Sequence, residues 1–403
     1  MNKTTLIVIT LLVVSVIFIY GFSSSYASRT IDNVLFVVGL AIDLADDNEN
    51  LKVSFGFTNI SPFSQGSSYE KPDTILQTVT APSVDTAINL INVYLSKEVN
   101  LSHCKAIIIS EKYASKGIYT ELSEFINNPQ IRPTTNIVVT KGDASEYFDK
   151  SASSLDKLLT RYYDIFPNSS KYTGYTANVT IGELYNSVLE AEGGNTTILG
   201  GTNTDTVQST NPDEIKSGNS PITGEHGNEN IGLAVFNRDE YVGDLSALET
   251  LYHSILISEV NTFLLTVDAP NNIDKKIDVN ITTDKPTDVS VNIYEDVPII
   301  DININLSGKI LTVIDNLNYS DSLVLNDISE AVNTNLEKNI SDYLKKTQDT
   351  FKCDLDFFYR FAKRNFKTIE EWKNFDWYSK YPKSTFNLNV NCNVVSSFMV
   401  SGN

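Results

Sequence analysis

One pair of neighbouring side chains in this sequence, His103 and Cys104, has the residue types of a cysteine nucleophile and its base. An imidazole activates a thiol by taking its proton, and this requires a hydrogen bond between the two side chains. The flanking apolar residues predict a strand here, and successive side chains of a strand point to opposite faces. The two groups could not meet in that geometry. We therefore expect a structural or hydrogen-bonding role for His103.

A second candidate combines acidic and aromatic side chains near the end of the chain. Glu370 and Glu371 lie beside Trp372 and close to Trp377, which superficially resembles a carbohydrate site. Glycoside hydrolysis needs two carboxyl groups that face each other across the scissile bond, and residues adjacent in sequence rarely do so. We expect no hydrolytic site here.

Four acidic residues follow the first apolar stretch and raise the question of a calcium loop: Asp43, Asp46, Asp47 and Glu49. An EF-hand loop needs oxygen ligands at alternate positions and a central glycine. Ala45 occupies a position that needs a ligand. The run is therefore interpreted as a solvated turn.

Catalytic and cofactor-binding motifs are absent from the sequence, which has no GxGxxG, P-loop, GxSxG, HExxH or CxxC pattern and only three histidines. We predict that the protein is not an enzyme, with no catalytic, cofactor-binding or metal-binding residues. The three cysteines, Cys104, Cys353 and Cys392, are widely spaced and allow at most one disulfide. Cys392 falls on the apolar face of an alternating segment, which predicts a buried structural thiol.

Composition and charge limit the classes of partner. Of the 403 residues, 41% are hydrophobic, which is enough for a sizeable core. Acidic residues outnumber basic ones by 50 to 31, and the resulting net charge of −19 disfavours binding to nucleic acid. The same charge opposes lying flat on an anionic membrane, so we expect an ectodomain that stands away from it.

The N-terminal segment, residues 1–28, has the layout of an export signal or a signal-anchor. Lys3 precedes an unbroken apolar run at 6–22, and no charge follows until Arg29. A run of this length is at the lower limit for crossing a bilayer, about 17 residues. Retention as an anchor and cleavage after Ala27 both remain open. Either outcome places the rest of the chain outside the cytoplasm.

The first half alternates strand and helix patterns. Strands at 31–43 and 51–60 predict a hairpin. After Ser83, a good helix N-cap, apolar residues recur at helical spacing: Val84, Ala87, Ile88, Ile91, Tyr94 and Leu95. Further patterns predict strands at 106–109 and 135–139 and helices at 118–125 and 152–165. We expect an α/β domain with mixed strand pairing over residues 29–192.

Composition changes at 193–230, which is rich in Gly, Asn, Thr and Ser. This predicts a dispensable, solvent-exposed loop or linker. The C-terminal region, 231–403, is predicted to contain a small middle domain and a sheet with a long helix. That helix has capping-box spacing at Asp327 and Glu330, and its apolar stripe extends to Phe358. The whole chain is predicted to be a mixed α/β, multi-domain ectodomain preceded by an apolar helix.

Several segments resemble a known family. Residues 83–142 resemble the N-terminal half of the Ger(x)C spore germination proteins, in which a helix, a Leu/Ser-His element, a strand, a helix and an Arg-containing turn follow in this order. The segments RTIDNVLFVVGLAID, IGLAVFNRDEYVGDLSALET and FAKRNFKTIEEWKNFDW extend the resemblance over nearly the full length. It implies a non-catalytic, three-domain ectodomain that is the C subunit of a spore germinant receptor.

The resemblance also implies partners and a location. These are the A- and B-type membrane subunits of the receptor and the spore inner membrane, with the ectodomain on its outer side. Family members are typically lipoproteins, but Phe22 stands where the lipidated cysteine would be, so we predict no lipidation there. The alternatives are a membrane-anchored solute- or polysaccharide-binding protein unrelated to germination, and an unrecognised cell-wall hydrolase.

Overall fold

The computed structural model describes residues 12–15, 33–58, 74–151, 162–163, 166–190, 192–203, 208–223, 227–270, 272–312 and 321–395. Two mixed β-sheets, each packed with helices, make up the fold, and this confirms the predicted α/β class. Within the apolar N-terminal run only residues 12–15 are described, and they are helical. Among the described residues, no helix has the length and apolar character needed to cross a membrane.

The strands, in chain order, are β1 Val34–Leu44, β2 Leu51–Thr58, β3 Thr74–Ala81, β4 Glu98–Asn100, β5 Ala106–Ser110, β6 Asn136–Thr140, β7 Gly194–Thr202, β8 Asn228–Asn237, β9 Glu240–Leu245, β10 Thr262–Ala269, β11 Asn272–Thr283, β12 Asp288–Tyr294, β13 Val297–Ile310 and β14 Thr385–Val395. The α-helices are α1 Val84–Leu95, α2 Glu111–Ala114, α3 Tyr119–Asn127, α4 Ala144–Asp149, α5 Ser170–Thr173, α6 Ile181–Glu190, α7 Ala247–Leu256, α8 Ser322–Lys346, α9 Tyr359–Ala362, α10 Ile369–Phe375 and α11 Trp377–Lys380.

The first sheet has the strand order β3-β2-β1-β5-β6-β7-β8-β9, and β4 pairs with the start of β1. Its centre is parallel, from β1 through β5 and β6 to β7, and its flanks are antiparallel. Helices α1, α3 and α6 cover one face, and α4 covers the other. Every residue of β5 is buried because helices pack on both sides of it.

Helix α1 begins where the sequence predicts, because Ser83 accepts a hydrogen bond from the backbone of Thr86 at 3.2 Å. Val84, Ala87 and Ile91 are buried against the sheet. The prediction was wrong for Tyr94, whose side chain is 73% exposed. The buried stripe is narrower than the apolar pattern, so part of that pattern faces outward.

The loop predicted at 193–230 is wrong at both ends. β7 fills 194–202 and lies between β6 and β8, with Thr197, Ile198 and Leu199 buried. Its glycines permit close packing, and Gly200 lies against the ring of Tyr147. The first sheet therefore continues across this segment as far as Leu245.

In the loop between β7 and β8, several of the described residues are hydrogen-bonded to one buried carboxylate, that of Glu229. Glu229 accepts hydrogen bonds from Asn203 Nδ2 at 2.6 Å and from the backbone N–H of Gly218 at 2.8 Å, and it also contacts the Ser220 hydroxyl. Nearby, Ser217 donates to the carbonyl of Leu199 in β7 at 2.8 Å. These bonds tie the loop to the sheet.

The second sheet centres on β13. One edge of β13 pairs in parallel with β14, and the other edge pairs with β12 and then with β11, which continues to β10. Side chains alternate between buried and accessible along β13, as period-two patterning predicts.

Helix α8 lies against this sheet, but its ends differ from the prediction. It begins six residues earlier, where the N-cap Asp321 accepts a hydrogen bond from the backbone of Leu323 at 2.9 Å. It ends at Lys346, and a π-helical turn follows at Thr347–Phe351. Leu355 and Phe358 are buried as expected but belong to the following loop. The predicted helix at 152–165 lies mostly outside the described residues.

A ladder of polar side chains joins α8 to the outer edge of β14. Ser329, Asn333 and Glu337 accept hydrogen bonds from the backbone N–H groups of Val394, Cys392 and Val390 at 3.1, 2.7 and 3.1 Å. The spacings match because four residues of helix and two residues of strand each rise by about 6 to 7 Å.

The two sheets meet where the first residues of β7 touch the loop that follows the π-helical turn. The backbone N–H of Gly194 donates to the carbonyl of Asp354 at 2.9 Å. A Cβ atom at Gly194 would lie 2.5 Å from Cys353 Sγ and 2.6 Å from Leu355 Cδ2. Only a glycine permits this approach without displacing those neighbours.

The Asp354 side chain organises this joint. Its carboxyl group is buried and accepts four hydrogen bonds of 2.8 to 3.2 Å, from the backbone N–H groups of Asp356, Phe358 and Tyr359 and from Trp377 Nε1. Burial raises its pKa to about 7, with a smaller contribution from the charge of Asp356.

We predict that Gly194→Ala destabilises the protein by about 1–3 kcal/mol, because the added methyl group overpacks the joint. The matched control is Gly227→Ala in the same glycine-rich segment, where a Cβ atom meets nothing within 4 Å. Denaturant unfolding of both variants measures the difference. Equal stability of the two variants would contradict this packing.

We also predict an unusual pH dependence that involves Asp354. The pKa of Asp354 is higher in the folded protein than in the unfolded chain. The contribution of this group to the free energy of unfolding is therefore present at low pH and is lost as the pH rises through about 7. Asp354→Asn should remove that dependence and should destabilise the protein by about 1–3 kcal/mol, because an amide N–H₂ group then faces hydrogen-bond donors. The measurement is the difference in unfolding free energy between wild type and variant from about pH 5 to about pH 8. A difference that does not change with pH would contradict the assignment.

Candidate functional site

A cleft of about 330 Å³ lies next to the joint between the two sheets. Helix α6 and the start of β7 form one wall, and the end of α7 and the residues leading into α9 form the other. The side chains that line it include Glu183, Glu190, Asn195, His253, Glu259 and Arg360. It therefore brings together charged groups of both signs from distant parts of the chain.

His253 is a buried, hydrogen-bonded residue in the lining of the cleft. Its ring is 2% exposed, and Nδ1 lies 2.8 Å from Asp356 Oδ1. The Tyr343 hydroxyl donates to the same carboxylate oxygen at 3.0 Å. This trio links α7, α8 and the loop after the π-helical turn, because each partner comes from a different one of these elements.

The outer part of the cleft has one paired carboxylate and one carboxylate with a raised pKa. Glu190 at the end of α6 accepts a hydrogen bond from the Tyr359 hydroxyl, and the Arg360 guanidinium lies 4.3 Å from the centre of the Phe357 ring. Burial raises the pKa of Glu259, and the charge of Glu183 adds to this effect. These groups could hold a small polar molecule or a polar side chain of a partner.

An Asp–His pair is also the orienting half of a catalytic triad, so the question of a nucleophile arises. Among the described residues, the hydrogen bonds of the His253 side chain go only to Asp356 and Tyr343. No serine or cysteine of the described residues is hydrogen-bonded to this imidazole. The arrangement supports a packing and binding role.

His103 and Cys104 lie in a turn before β5 and not in a strand, so the predicted local geometry was wrong. Their side chains nevertheless point apart. His103 is exposed and stacks on Phe36 with 4.4 Å between ring centres, whereas Cys104 is buried and its thiol faces the carbonyl of Ala106 at 3.5 Å. Burial raises the pKa of Cys104 to about 12, which keeps it a thiol at neutral pH.

Cys353 and Cys392 are also buried and free, and burial raises the pKa of each to about 12. Cys353 packs at the joint, and Cys392 lies on the inner face of β14, the location that the alternating pattern predicts. Both side chains act as small apolar groups in the core.

The acidic and aromatic cluster near the end of the chain is structural. Glu371 completes the N-terminal cap of α10, since its carboxylate accepts from the backbone of Lys367 and its own backbone donates to Thr368 Oγ1. Trp372 and Trp377 are buried in the core of the C-terminal half. No paired carboxylates face each other here.

The acidic run at the end of β1 forms a turn in which Asp43 and Asp47 accept hydrogen bonds from backbone N–H groups. Asp47 accepts from the backbone of Glu49 and Asn50, and these hydrogen bonds lower its pKa. Asp43 is buried and accepts from the first two backbone N–H groups of α4, Ala144 at 2.6 Å and Ser145. Across the described residues, no group of three or more His, Cys, Asp or Glu side chains could hold a metal ion.

Sequence reasoning missed the residues that build the joint and the cleft. A usable signal was present at Asp354 and Asp356, two acids within the apolar sequence CDLDFF, because charged residues in such surroundings are buried only when they have partners. His253 within LYHSIL carries the same signal. The partners themselves are far away in sequence and could not be named.

Comparisons with known proteins agree with this architecture. A family model described as spore germination protein N-terminal domain matches residues 27–201, and a second, described as spore germination B3/GerAC like, C-terminal, matches residues 231–397. A search of curated proteins found no match.

A solved structure described as the crystal structure of the GerBC protein is similar to this chain, with a TM-score of 0.54 and 16% sequence identity. The similarity covers 89% of this chain and 97% of that chain. At this identity the likeness concerns the fold alone. The two family models, however, match successive parts of the chain in order and together cover most of its length. The chain belongs to the Ger(x)C family of spore germination proteins.

Proposed function

We propose that this protein is the C subunit of a spore germinant receptor and is required for germination triggered by that receptor's nutrient. The observation that supports the proposal most directly is the match of both family models, in order, across residues 27–397. The matched regions include the joint, the cleft and both sheets, so the whole ectodomain takes part in the resemblance.

A non-catalytic role agrees with the chemistry of the site. Among the described residues, no serine or cysteine is hydrogen-bonded to His253 of the His253–Asp356 pair, and the three cysteines are buried thiols with a raised pKa. The protein then acts through what it contacts. We propose that its partners are the A- and B-type membrane subunits of the same receptor.

The proposed location is the spore inner membrane, with the ectodomain on the outer side. Residues 6–22 are uncharged and mostly apolar, and Phe22 stands at the position of the lipidated cysteine. Attachment by the retained N-terminal segment is therefore part of the proposal, since a phenylalanine cannot form the thioether bond.

Deleting the gene should abolish germination by the cognate nutrient and leave sporulation and receptor-independent triggers intact, because the effect of a contact subunit is confined to its complex. The assay follows spores of the deletion strain in a background without other receptors, with the wild-type gene restored at a second locus as the control. Failure under every trigger would indicate a cell-wall hydrolase. Poor vegetative growth on one nutrient would indicate a solute-binding protein, and normal nutrient germination would contradict the proposal outright.

The retained anchor is tested separately. We expect the mature protein from spores to keep residues 6–22 and to resist extraction from membranes by alkaline carbonate. Without a lipidated cysteine at position 22, this apolar segment itself has to anchor the protein. N-terminal sequencing and fractionation measure both properties. A mature chain that begins at Ser28 and leaves the membrane in carbonate would refute anchoring by this segment.

A further inference from the structure

The amino ends of the parallel strands form one end of the first sheet, and the described ectodomain begins there. Val34–Phe36 pair in parallel with Glu98–Asn100, and the residues before β5 and β6 lie at the same end. Phe36 stacks on His103, and the side chains of Asn92 and Gln130 accept hydrogen bonds from the backbone of Val99 and Leu101, both at 2.8 Å. We call this surface, formed by 33–38, 92–105 and 128–136, the amino-end face.

A polar pocket of about 300 Å³ opens on the amino-end face. It is lined by residues of two adjacent segments, 102–105 and 132–136, and includes His103, Lys105 and Arg132. Serine and threonine residues supply further hydrogen-bond donors to the same pocket. Such a set of side chains suits the oxygen atoms of a phosphate group, which guanidinium and ammonium groups bind well.

An exposed apolar patch lies on α1, whose C-terminal end is part of this face. Val93 is 81% exposed and Tyr94 is 73% exposed in the last turn of α1, and Leu90 is half exposed one turn earlier. Lys97 follows three residues after Tyr94. Tyrosine, aliphatic side chains and lysine in this arrangement are typical of surfaces that rest at the interface between water and lipid.

The charge of this face is opposite to that of the whole chain. Its three segments contain Lys97, Lys105 and Arg132 but only one acidic residue, Glu98. At the other end of β1, the turn at 43–50 contains four acidic residues and no basic one. The net charge of −19 is therefore distributed unevenly, and an anionic surface would attract one end of the protein and repel the other.

We propose that the amino-end face is a docking surface for an anionic lipid bilayer, in which the pocket binds a lipid phosphate and the α1 patch enters the headgroup layer. The proposal rests on the membrane attachment proposed above. The ten residues between Phe22 and Asn33 can span at most about 35 Å, so an anchored chain keeps this end near the bilayer. The ectodomain then rests on one end, and its acidic remainder extends away from the lipid.

The test uses the full chain reconstituted in vesicles of phosphatidylcholine, with or without phosphatidylglycerol. Val93→Cys carries a fluorophore on the face, and Glu49→Cys carries the same fluorophore at the opposite end. The native thiols do not compete for the label because they are buried and their pKa values are about 12. We expect lipids with a nitroxide headgroup to quench the Val93 label several-fold more than the Glu49 label, and more strongly in anionic vesicles.

A charge reversal provides the second arm. The double variant Lys97→Glu, Arg132→Glu should remove most of the extra quenching in anionic vesicles. The control is the double variant Lys112→Glu, Lys309→Glu, which makes the same charge change at exposed lysines elsewhere and should keep that quenching. Flotation of the vesicles reports the anchor separately. Protein that floats while its Val93 label is quenched no more than its Glu49 label overturns the docking surface alone. Equal quenching of the Val93 label in neutral and in anionic vesicles overturns the preference for anionic lipid. Protein that does not float overturns both the anchor and the docking surface.

Discussion

The burial of one carboxyl group, Asp354, determines how the two halves of this protein fit together. Its side chain accepts hydrogen bonds from backbone N–H groups of its own loop and from the indole N–H of Trp377. Its backbone carbonyl accepts a hydrogen bond from the N–H of Gly194 in the other sheet. A buried acid is costly unless its acceptor capacity is used, so the loop has to fold around it. The loop in turn places Asp356 against His253 and thereby forms the wall of the cleft.

The cleft and the amino-end face represent two kinds of surface in one chain. The cleft is recessed, contains both signs of charge and is supported by hydrogen bonds between distant elements. The amino-end face has exposed apolar side chains at α1 and more basic than acidic residues. A protein that works through contacts can use such surfaces for different partners, because electrostatic complementarity selects the orientation of each encounter.

The sequence was informative where a pattern depends on neighbours along the chain. Strands β1, β13 and β14, the N-cap of α1 and the burial of Cys392 could all be predicted, since periodicity and capping are local. The two ends of the segment 193–230 were predicted wrongly because its composition was interpreted as too poor in apolar residues to become ordered, whereas Gly194 and Gly200 permit close contacts with Cys353 and Tyr147. Those contacts are non-local. The cleft could not be predicted either, because its residues come from elements far apart in sequence, namely α6, β7, α7 and the loop before α9.

The ladder from α8 to β14 has a consequence for assembly. A free strand edge is a template on which another chain can add a strand through backbone hydrogen bonds, and Val390, Cys392 and Val394 would otherwise offer such an edge. Their N–H groups are occupied by Glu337, Asn333 and Ser329 of the same chain. Another subunit that approaches β14 along residues 390–394 therefore meets N–H groups that are already bonded, and a strand could not be added at these positions without breaking those bonds.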